Sequence, residues 1–326
     1  MSSNAATVPN PFERPLNIRH ILTNSPPLQD HVLPGLLAGT VGMLAGPGGV
    51  GKTMLELQIA MAVSCGGKYC GGLFHRGSVA NLVSSKPGKV VMVAAEESVD
   101  LIWSRLHAIV ATLHERQELL RFEGDAETLM AMWAENLRIY PLAGLSRVEL
   151  LSRELELTDS AKQLRTACEG ARLVILDPIR QLQACDENDS GAMTAVVQSL
   201  QVLASRTSAA VMFAHHTNRA SATMGLSDTA GAARGSTALT DGVRWQLNLS
   251  RLTRESAKYH GIPDDERGRF VLADIAKANY LPPQRTEVLE RLAGGVLTVR
   301  DVLHKAPPTA SQGRRVPKSK MKSAVA

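Results

Sequence analysis

The stretch TVGMLAGPGGVGKTMLELQIA, residues 40–60, joins a strand pattern to a helix pattern through a glycine-rich loop. The apolar run over 40–46 predicts a short buried strand, and the residues after the loop have apolar side chains at helical spacing. The loop itself, GPGGVGKT (46–53), fits the pattern G-x-x-x-x-G-K-[ST]. A strand before this pattern and a helix after it are the context that a phosphate-binding loop (P-loop) requires, so we predict one here.

The residue types of this loop suit the binding of a nucleoside triphosphate. Its glycines allow the backbone to wrap with the N–H groups turned inward, around a phosphate at the N terminus of the following helix. Lys52 is placed to reach the β- and γ-phosphates, and the Thr53 hydroxyl to bind Mg²⁺. The alternative is a glycine-rich turn with a surface lysine. The predicted binding residues are Gly46, Pro47, Gly48, Gly49, Val50, Gly51, Lys52 and Thr53.

Two further apolar runs end in carboxylates. RLVILD (172–177) predicts a buried strand whose last residue, Asp177, is placed to hold a Mg²⁺-bound water; a cap for the next helix is the alternative. KVVMVAAEE (89–97) predicts a strand buried on both faces that ends in Glu96 and Glu97. Hydrolysis needs a carboxylate that orients or deprotonates the attacking water. Because adjacent strand residues point to opposite faces, we expect only one of the two, Glu96 ahead of Glu97, to face the nucleotide.

The alternative for this glutamate pair is a structural role. Ser98 is a candidate N-cap for a helix over 98–117, and the helix dipole favours negative charge at that end. Both carboxylates would then cap the helix instead of facing a nucleotide.

Strand and helix patterns alternate as far as residue 216. Further strands are predicted at 136–142 and 209–216, one or two helices at 147–170, and a helix at 190–207. This alternation predicts an α/β fold with a mainly parallel sheet and helices on both faces. Three later runs, at 244–252, 268–281 and 294–301, predict antiparallel strands added at one edge.

Two histidines, His215 and His216, end the strand at 209–216, and about two dozen small and polar residues follow them. Ligands of such sheets bind at the carboxyl ends of the strands. The P-loop, Glu96, Asp177 and both histidines are all predicted to lie at that edge. The alternative for the histidines is a pair of rings that satisfy local hydrogen bonds beside a surface loop.

Composition and charge predict one large domain at 31–301, an extended lead-in at 1–30 with a short helix near residues 18–22, and a disordered tail at 302–326. Apolar residues make up 44 % of the chain, enough for a sizeable core. The tail has six lysines and arginines and no acid; since the net charge is +5, the rest of the chain is near −1. Such a tail suits non-specific contact with phosphate backbones, and a solvated terminus without a partner is equally compatible.

The sequence also excludes several classes of protein. It has no run of eighteen apolar residues and no secretory signal at its start, so we expect no membrane span and a cytoplasmic location. Its four scattered cysteines lack the partners that a four-ligand zinc site needs, and ordinary reduced thiols are expected.

The order of these features resembles that of the RecA-like ATPases: glutamates after the second core strand, a strand ending in aspartate, and a strand ending in polar residues before a loop. Six blocks between residue 28 and about residue 300 together resemble the plasmid RepA-type replicative helicases, hexameric relatives of the DnaB helicase motor. These blocks are LQDHVLPGLLAGTVGMLAGPGGVGKTMLELQIA, VMVAAEES, VILDPIRQL, VMFAHHTNRAS, ARGSTALTDGVRW and IAKANY.

The resemblance implies ATP and Mg²⁺ as cofactors and a ring of subunits around single-stranded DNA. It implies that His215 or His216 contacts the γ-phosphate and relays its state to the loop 217–233, which grips DNA. In this region the residues expected to contact DNA phosphates are Arg219, Arg234 and Ser236. A replication initiator or a primase is a further partner that the resemblance allows.

The resemblance also implies that Arg244 and Lys277 enter the ATP site of a neighbouring subunit. DnaB-like motors often have an arginine two residues after such a lysine, and Asn279 stands there instead, which weakens the match for Lys277. The implied function is an ATP-dependent, ring-forming DNA helicase of replication. The alternative is a RecA-like ATPase that switches protein assemblies without unwinding DNA, since the two would share the same ATP motifs.

Overall fold

The computed structural model describes residues 11–13, 15–66, 72–74, 86–115, 125–145, 148–217 and 237–300. The strands within these residues are β1 (His31–Leu33), β2 (Leu36–Leu37), β3 (Val41–Gly46), β4 (Lys89–Ala94), β5 (Leu137–Pro141), β6 (Ala171–Asp177), β7 (Ala210–His216), β8 (Trp245–Arg251), β9 (Phe270–Ala278), β10 (Glu287–Arg291) and β11 (Leu297–Val299).

The α-helices within the same residues are α1 (Ile18–Thr23), α2 (Lys52–Ser64), α3 (Val99–Glu115), α4 (Ala126–Asn136), α5 (Asp159–Ala167), α6 (Ser190–Thr207), α7 (Thr237–Gly242) and α8 (Arg254–Tyr259). None of the described helices is long and apolar enough to span a membrane.

A nine-stranded sheet has the order β11-β10-β9-β8-β3-β7-β6-β4-β5. The six strands from β8 to β5 in this order are mutually parallel. The other three, β9, β10 and β11, extend the sheet with antiparallel pairings. The predicted α/β fold with a mainly parallel sheet is therefore confirmed.

Helices cover both faces of this sheet, as predicted. Alternate residues of β4 face opposite sides: Val90 and Met92 pack with α2 and α3, whereas Val91 and Val93 pack with α6. Each face thereby has its own apolar core, and the continuous β-branched run of β4 follows from burial on both sides.

The direction of β8 differs from our prediction. We expected all three late strands to be antiparallel, but β8 runs parallel to β3, with Gly42 opposite Trp245 and Ala45 opposite Asn248. A parallel neighbour requires a crossover, and the residues between β7 and β8 contain too few apolar positions to predict one; α7, six residues long, belongs to it. The end of β8 consequently lies at the same edge as the P-loop.

Other departures concern element boundaries. The strand predicted over 89–97 ends at Ala94. Glu96 lies in the bend that follows and Glu97 directly after it, so the argument from alternating strand faces does not apply to them. Within 147–170 the structure has one helix, α5, preceded by an isolated bridge between Leu151 and Leu157. The hairpin β1–β2, the helices α4 and α8, and the strand β10 were not predicted, because each is short or has no clear periodicity.

A buried amide joins the P-loop helix to the last described strand. Gln58 on α2 donates from Nε2 to the carbonyl of Leu297 (2.8 Å) and accepts at Oε1 from the Leu297 N–H (3.0 Å). Gln58 has no exposed surface. Because both backbone groups of Leu297 bond to this side chain, β11 is attached to α2 as well as to its neighbour β10.

We expect Gln58→Leu to lower the free energy of unfolding by about 1–3 kcal/mol, because the buried N–H and C=O of Leu297 lose their partner. Urea denaturation followed by circular dichroism measures this loss. Gln201→Leu on α6 is the matched control, since Gln201 is exposed and donates to the Gly242 carbonyl. Equal effects of the two substitutions would contradict the importance of the buried amide.

Candidate functional site

The P-loop lies between β3 and α2, and two of its glycines are required by the geometry. A side chain at Gly46 would come within 2.7 Å of the Leu249 carbonyl oxygen on β8. Gly51, the N-cap of α2, has a φ of 107°, which L-residues with a side chain rarely adopt. No side chain among the described residues caps α2, so the N–H groups of its first turn remain available for a phosphate.

Lys52 folds back over the loop. Its Nζ donates to the carbonyls of Gly46 (2.9 Å) and Pro47 (3.2 Å), and the side chain is buried. Burial lowers the pKa of Lys52, while the negative charges of Asp177, Glu56 and Glu96 act in the opposite direction. A buried ammonium group attracts a phosphate anion strongly, because the surrounding medium has a low dielectric constant.

Thr53 and Asp177 meet as the two motifs predict. The Thr53 hydroxyl donates to Asp177 Oδ2 at 2.6 Å, which joins the first turn of α2 to the end of β6. A hydroxyl and a carboxylate are the hard oxygen donors that suit Mg²⁺, and phosphate oxygens and water fill its remaining positions in such sites. No larger cluster of metal ligands occurs among the described residues. The donor set therefore fits a Mg²⁺ that is shared with a phosphate.

The two glutamates after β4 have different partners. Glu96 is exposed and accepts from Gln181 Nε2 at 3.0 Å, whereas Glu97 forms an ion pair with Arg105 of α3 at 2.6 Å. This ion pair attaches Glu97 to α3. The alternative interpretation of the sequence gave such a structural role to both glutamates. Glu96 remains at the carboxyl edge of the parallel strands, where its partner Gln181 lies on a short 3-10 helix after Asp177.

The histidines at the end of β7 have distinct environments. His216 lies opposite Gly46 in the register, and its Nδ1 is 3.2 Å from Lys52 Nζ. Since an ammonium group only donates, His216 accepts at Nδ1. His215 is 2 % exposed, and neither of its ring nitrogens has a hydrogen-bond partner among the described residues. Burial, then the positive charges of His216 and Lys52, lowers the pKa of His215 to about 4.

Glu56, on α2 one turn after Lys52, was missed in the sequence. It is completely buried, and neither carboxyl oxygen has a donor among the described residues. Burial, followed by the negative charge of Asp177, raises the pKa of Glu56 well above its usual range, and the positive charge of Lys52 opposes this shift. Its only sequence signal was a glutamate inside an otherwise apolar helix.

Two arginines of the late strands support the P-loop from outside and were also missed. Arg251, the last residue of β8, donates to the Gly48 carbonyl at 3.0 Å. Arg291, the last residue of β10, donates to the Val50 carbonyl at 3.0 Å and lies 3.4 Å from the Gly49 carbonyl. The N–H groups of the loop can thus face a phosphate while its carbonyls are bound from the opposite side.

Two further predicted residues, Arg244 and Lys277, lie away from this site. Arg244 precedes β8 and is exposed. Its backbone N–H donates to the carbonyl of Val41 at the start of β3, which places it at the sheet edge opposite the P-loop. Lys277, near the end of β9, donates to the Thr240 carbonyl at 2.8 Å, and burial lowers its pKa. The predicted DNA-contacting residues Arg219, Arg234 and Ser236 lie outside the described residues.

Comparison with known proteins identifies the family of this core. Residues 9–222, more than half of the chain, match the AAA domain family. The chain belongs to this family. Among solved structures, one described as an ATPase domain aligns with a TM-score of 0.52 and 16 % identity, over 80 % of this chain and 84 % of that chain.

A DnaB-like replicative helicase, solved in a study of its interactions with primase, aligns with a TM-score of 0.53 and 15 % identity. The alignment covers 80 % of this AAA domain protein but only 59 % of the helicase chain. At such identities the similarity shows the fold alone, a RecA-like P-loop ATPase core. With the family match, the chain is a P-loop ATPase.

The buried His215 generates a pH prediction. Its folded pKa, about 4, lies below the ordinary value of 6.5, so its contribution is fully present above pH 6.5 and is lost as the pH falls toward 4. Relative to His215→Gln, we expect the wild type to lose about 3 kcal/mol of unfolding free energy between pH 7 and pH 4. Urea denaturation across this range measures the difference. His107→Gln, at an exposed position of α3, controls for removal of a histidine, and parallel profiles of wild type and His215→Gln would refute the prediction.

Proposed function

We propose that this protein is an ATP-driven DNA helicase of the plasmid RepA type, which forms a hexameric ring and moves on single-stranded DNA during replication. The observation that carries the proposal is the 3.2 Å contact between His216 Nδ1 and Lys52 Nζ. It connects the lysine of the P-loop to the strand that leads into residues 217–233, the predicted DNA-gripping loop. A change at the γ-phosphate can therefore be transmitted to that loop through one side chain. Because the similar DnaB-like structure is described with a primase, a primase or a replication initiator is the further partner that we propose.

The residues of the site divide the chemistry among them. The N–H groups of the P-loop and Lys52 hold the phosphates, and Thr53 with Asp177 would hold Mg²⁺, which neutralises charge on the β- and γ-phosphates when bound. Glu96, oriented by Gln181, directs the attacking water and accepts its proton. His216 responds to loss of the γ-phosphate, and the loop with Arg219, Arg234 and Ser236 changes its grip on the DNA backbone.

The position of Arg244 supports hydrolysis at subunit interfaces. Arg244 lies beside Val41 at the start of β3, whereas the P-loop follows Gly46 at its end, about 17 Å away along the strand. An arginine side chain cannot cross this distance within one subunit. We propose that Arg244 and Lys277 complete the ATP site of the adjacent subunit, where their charge stabilises the transferring phosphoryl group.

We expect Lys52→Ala to abolish ATP hydrolysis, and Arg244→Ala to keep ATP binding but lose roughly 10³-fold or more in turnover, as for other arginine fingers. An equimolar mixture of the two inactive variants should regain activity, because an intact Lys52 site can then receive an intact Arg244 from its neighbour. Phosphate release and binding of a fluorescent ATP analogue measure the two properties. Full turnover of Arg244→Ala alone would show that Arg244 does not complete the ATP site of the adjacent subunit.

Single-stranded DNA should stimulate hydrolysis, and the stimulation should weaken as salt rises because phosphate contacts release counterions. Steady-state ATP hydrolysis with and without a long oligonucleotide, at low and moderate salt, measures this effect. Arg234→Ala should reduce the stimulation more than Arg153→Ala, which removes a charge from an exposed turn elsewhere. A high rate of ATP hydrolysis that does not change when DNA is added would instead favour an ATPase that switches protein assemblies.

A further inference from the structure

Glu56 is a buried acidic side chain that the chemistry proposed above does not use. It lies in α2, in which every residue after Thr53 is buried. Glu56 has no exposed surface, and neither of its carboxyl oxygens has a hydrogen-bond donor among the described residues. Burying a carboxyl group in this way opposes folding, and buried carboxylates are normally paired with a cation or bind a metal ion. The role of Glu56 therefore depends on which positive charge it faces.

Lys52 lies four residues before Glu56, on the same face of α2, but it does not bond to Glu56. Its ammonium group has three N–H donors. These are directed to the carbonyls of Gly46 and Pro47 and to Nδ1 of His216, at 2.9, 3.2 and 3.2 Å. The positive charge of Lys52 thus acts on Glu56 only from a distance.

Asp177 brings a second acidic group to the same place. Its negative charge acts on Glu56, and its Oδ2 accepts from the Thr53 hydroxyl at 2.6 Å. Thr53 lies three residues before Glu56, so the two side chains share one face of the first turns of α2. Two acidic side chains and one hydroxyl therefore meet where α2 contacts the end of β6. Like charges so close repel each other, and a divalent cation offsets both.

The Mg²⁺ that Thr53 and Asp177 would hold is a cation of suitable charge. Mg²⁺ uses only one or two protein carboxylates in phosphate sites and keeps several water ligands. No three acidic, histidine or cysteine side chains among the described residues form a group of direct metal ligands. Glu56 is therefore suited to the water ligands of the ion. The charge of the ion favours an ionised Glu56, which accepts hydrogen bonds from such water.

We propose that Glu56 is a positioning residue of the Mg²⁺ site, which acts through the water ligands of the ion held by Thr53 and Asp177 and raises the affinity for Mg²⁺. The inference rests on the proposed function, since it concerns the same ATP site. Glu56 lies outside the P-loop pattern GPGGVGKT (46–53), so the pattern does not assign this role. The proposal also accounts for a completely buried glutamate in an otherwise apolar stretch of helix.

The experiment measures binding of a non-hydrolysable ATP analogue to the full chain by isothermal titration calorimetry, over a range of Mg²⁺ concentrations and in EDTA. Glu56→Gln keeps the size of the side chain and removes its charge. The Mg²⁺ concentration that gives half-maximal tightening should rise roughly ten- to a hundredfold, the usual effect of removing a group that orients metal ligands. Affinity in EDTA should stay unchanged, because it depends on the P-loop N–H groups and Lys52.

Two further variants accompany Glu56→Gln. Glu56→Met removes the same charge with a flexible apolar side chain that a buried helix accommodates, so it should fold at least as well as the wild type in urea denaturation. It should lose affinity for Mg²⁺ to the same extent, and it decides the outcome if Glu56→Gln does not fold. Glu135→Gln, at an exposed position of α4, is the matched control and should behave as the wild type.

Three outcomes would overturn the inference alone. The first is an unchanged Mg²⁺ requirement in the Glu56 variants. The second is an equal loss of affinity with Mg²⁺ and in EDTA, which indicates a purely structural role of Glu56. The third is a wild type that binds the analogue equally well under both conditions. If the wild type binds the analogue under neither condition, the proposed function fails and the inference fails with it.

Discussion

The hydrogen bond from the Thr53 hydroxyl to Asp177 Oδ2 joins the helix that follows the P-loop to the strand that carries the predicted Mg²⁺ ligand. Because β3 is itself paired with β7 and β8, both ends of the P-loop are held by the parallel sheet. The distance between Lys52 and His216 and the reach of Glu96 toward the nucleotide edge depend on this arrangement. Without the Thr53–Asp177 hydrogen bond, the motifs would still lie at one edge of the sheet, but their side chains would not be held toward one another.

Much of this arrangement could be predicted from local patterns. The P-loop spacing and the apolar strands that end in Asp177 and His216 each lie within a few consecutive residues, and the parallel alternation then brings their ends to one edge. The prediction for Glu96 relied on alternating faces of a strand, but Glu96 lies in a bend. What distinguishes it from Glu97 is that Glu97 forms an ion pair with Arg105.

The contacts that could not be predicted join residues far apart in the chain. Arg251 and Gly48 are 203 positions apart, and Arg291 and Val50 are 241 apart. No periodicity within a window of a dozen residues contains such information. The parallel direction of β8, which brings Arg251 to the P-loop, was itself hidden by a crossover with little apolar content. Glu56 was missed because a single polar residue in an apolar helix does not reveal what it will face.

Three ionisable side chains near the P-loop, Lys52, Glu56 and His215, are buried, and each has a pKa displaced toward its neutral form. Burying such groups opposes folding, since each loses hydration that a protein interior replaces only in part. Local choices that cost stability are typical of functional sites. Their concentration around the P-loop is therefore an independent indication, apart from any motif, of where the chemistry takes place.

The attachment of β11 to α2 through Gln58 has a consequence for the order in which the protein matures during synthesis. A growing chain that has reached residue 222, where the family match ends, already contains the P-loop, Asp177 and His216, but not Arg251, Arg291 or Leu297. Since domains emerge from the ribosome N-terminal end first, the outer support of the P-loop is added after the motifs themselves. A nascent chain consequently acquires this support only once residue 297 has been translated, well after the P-loop has emerged.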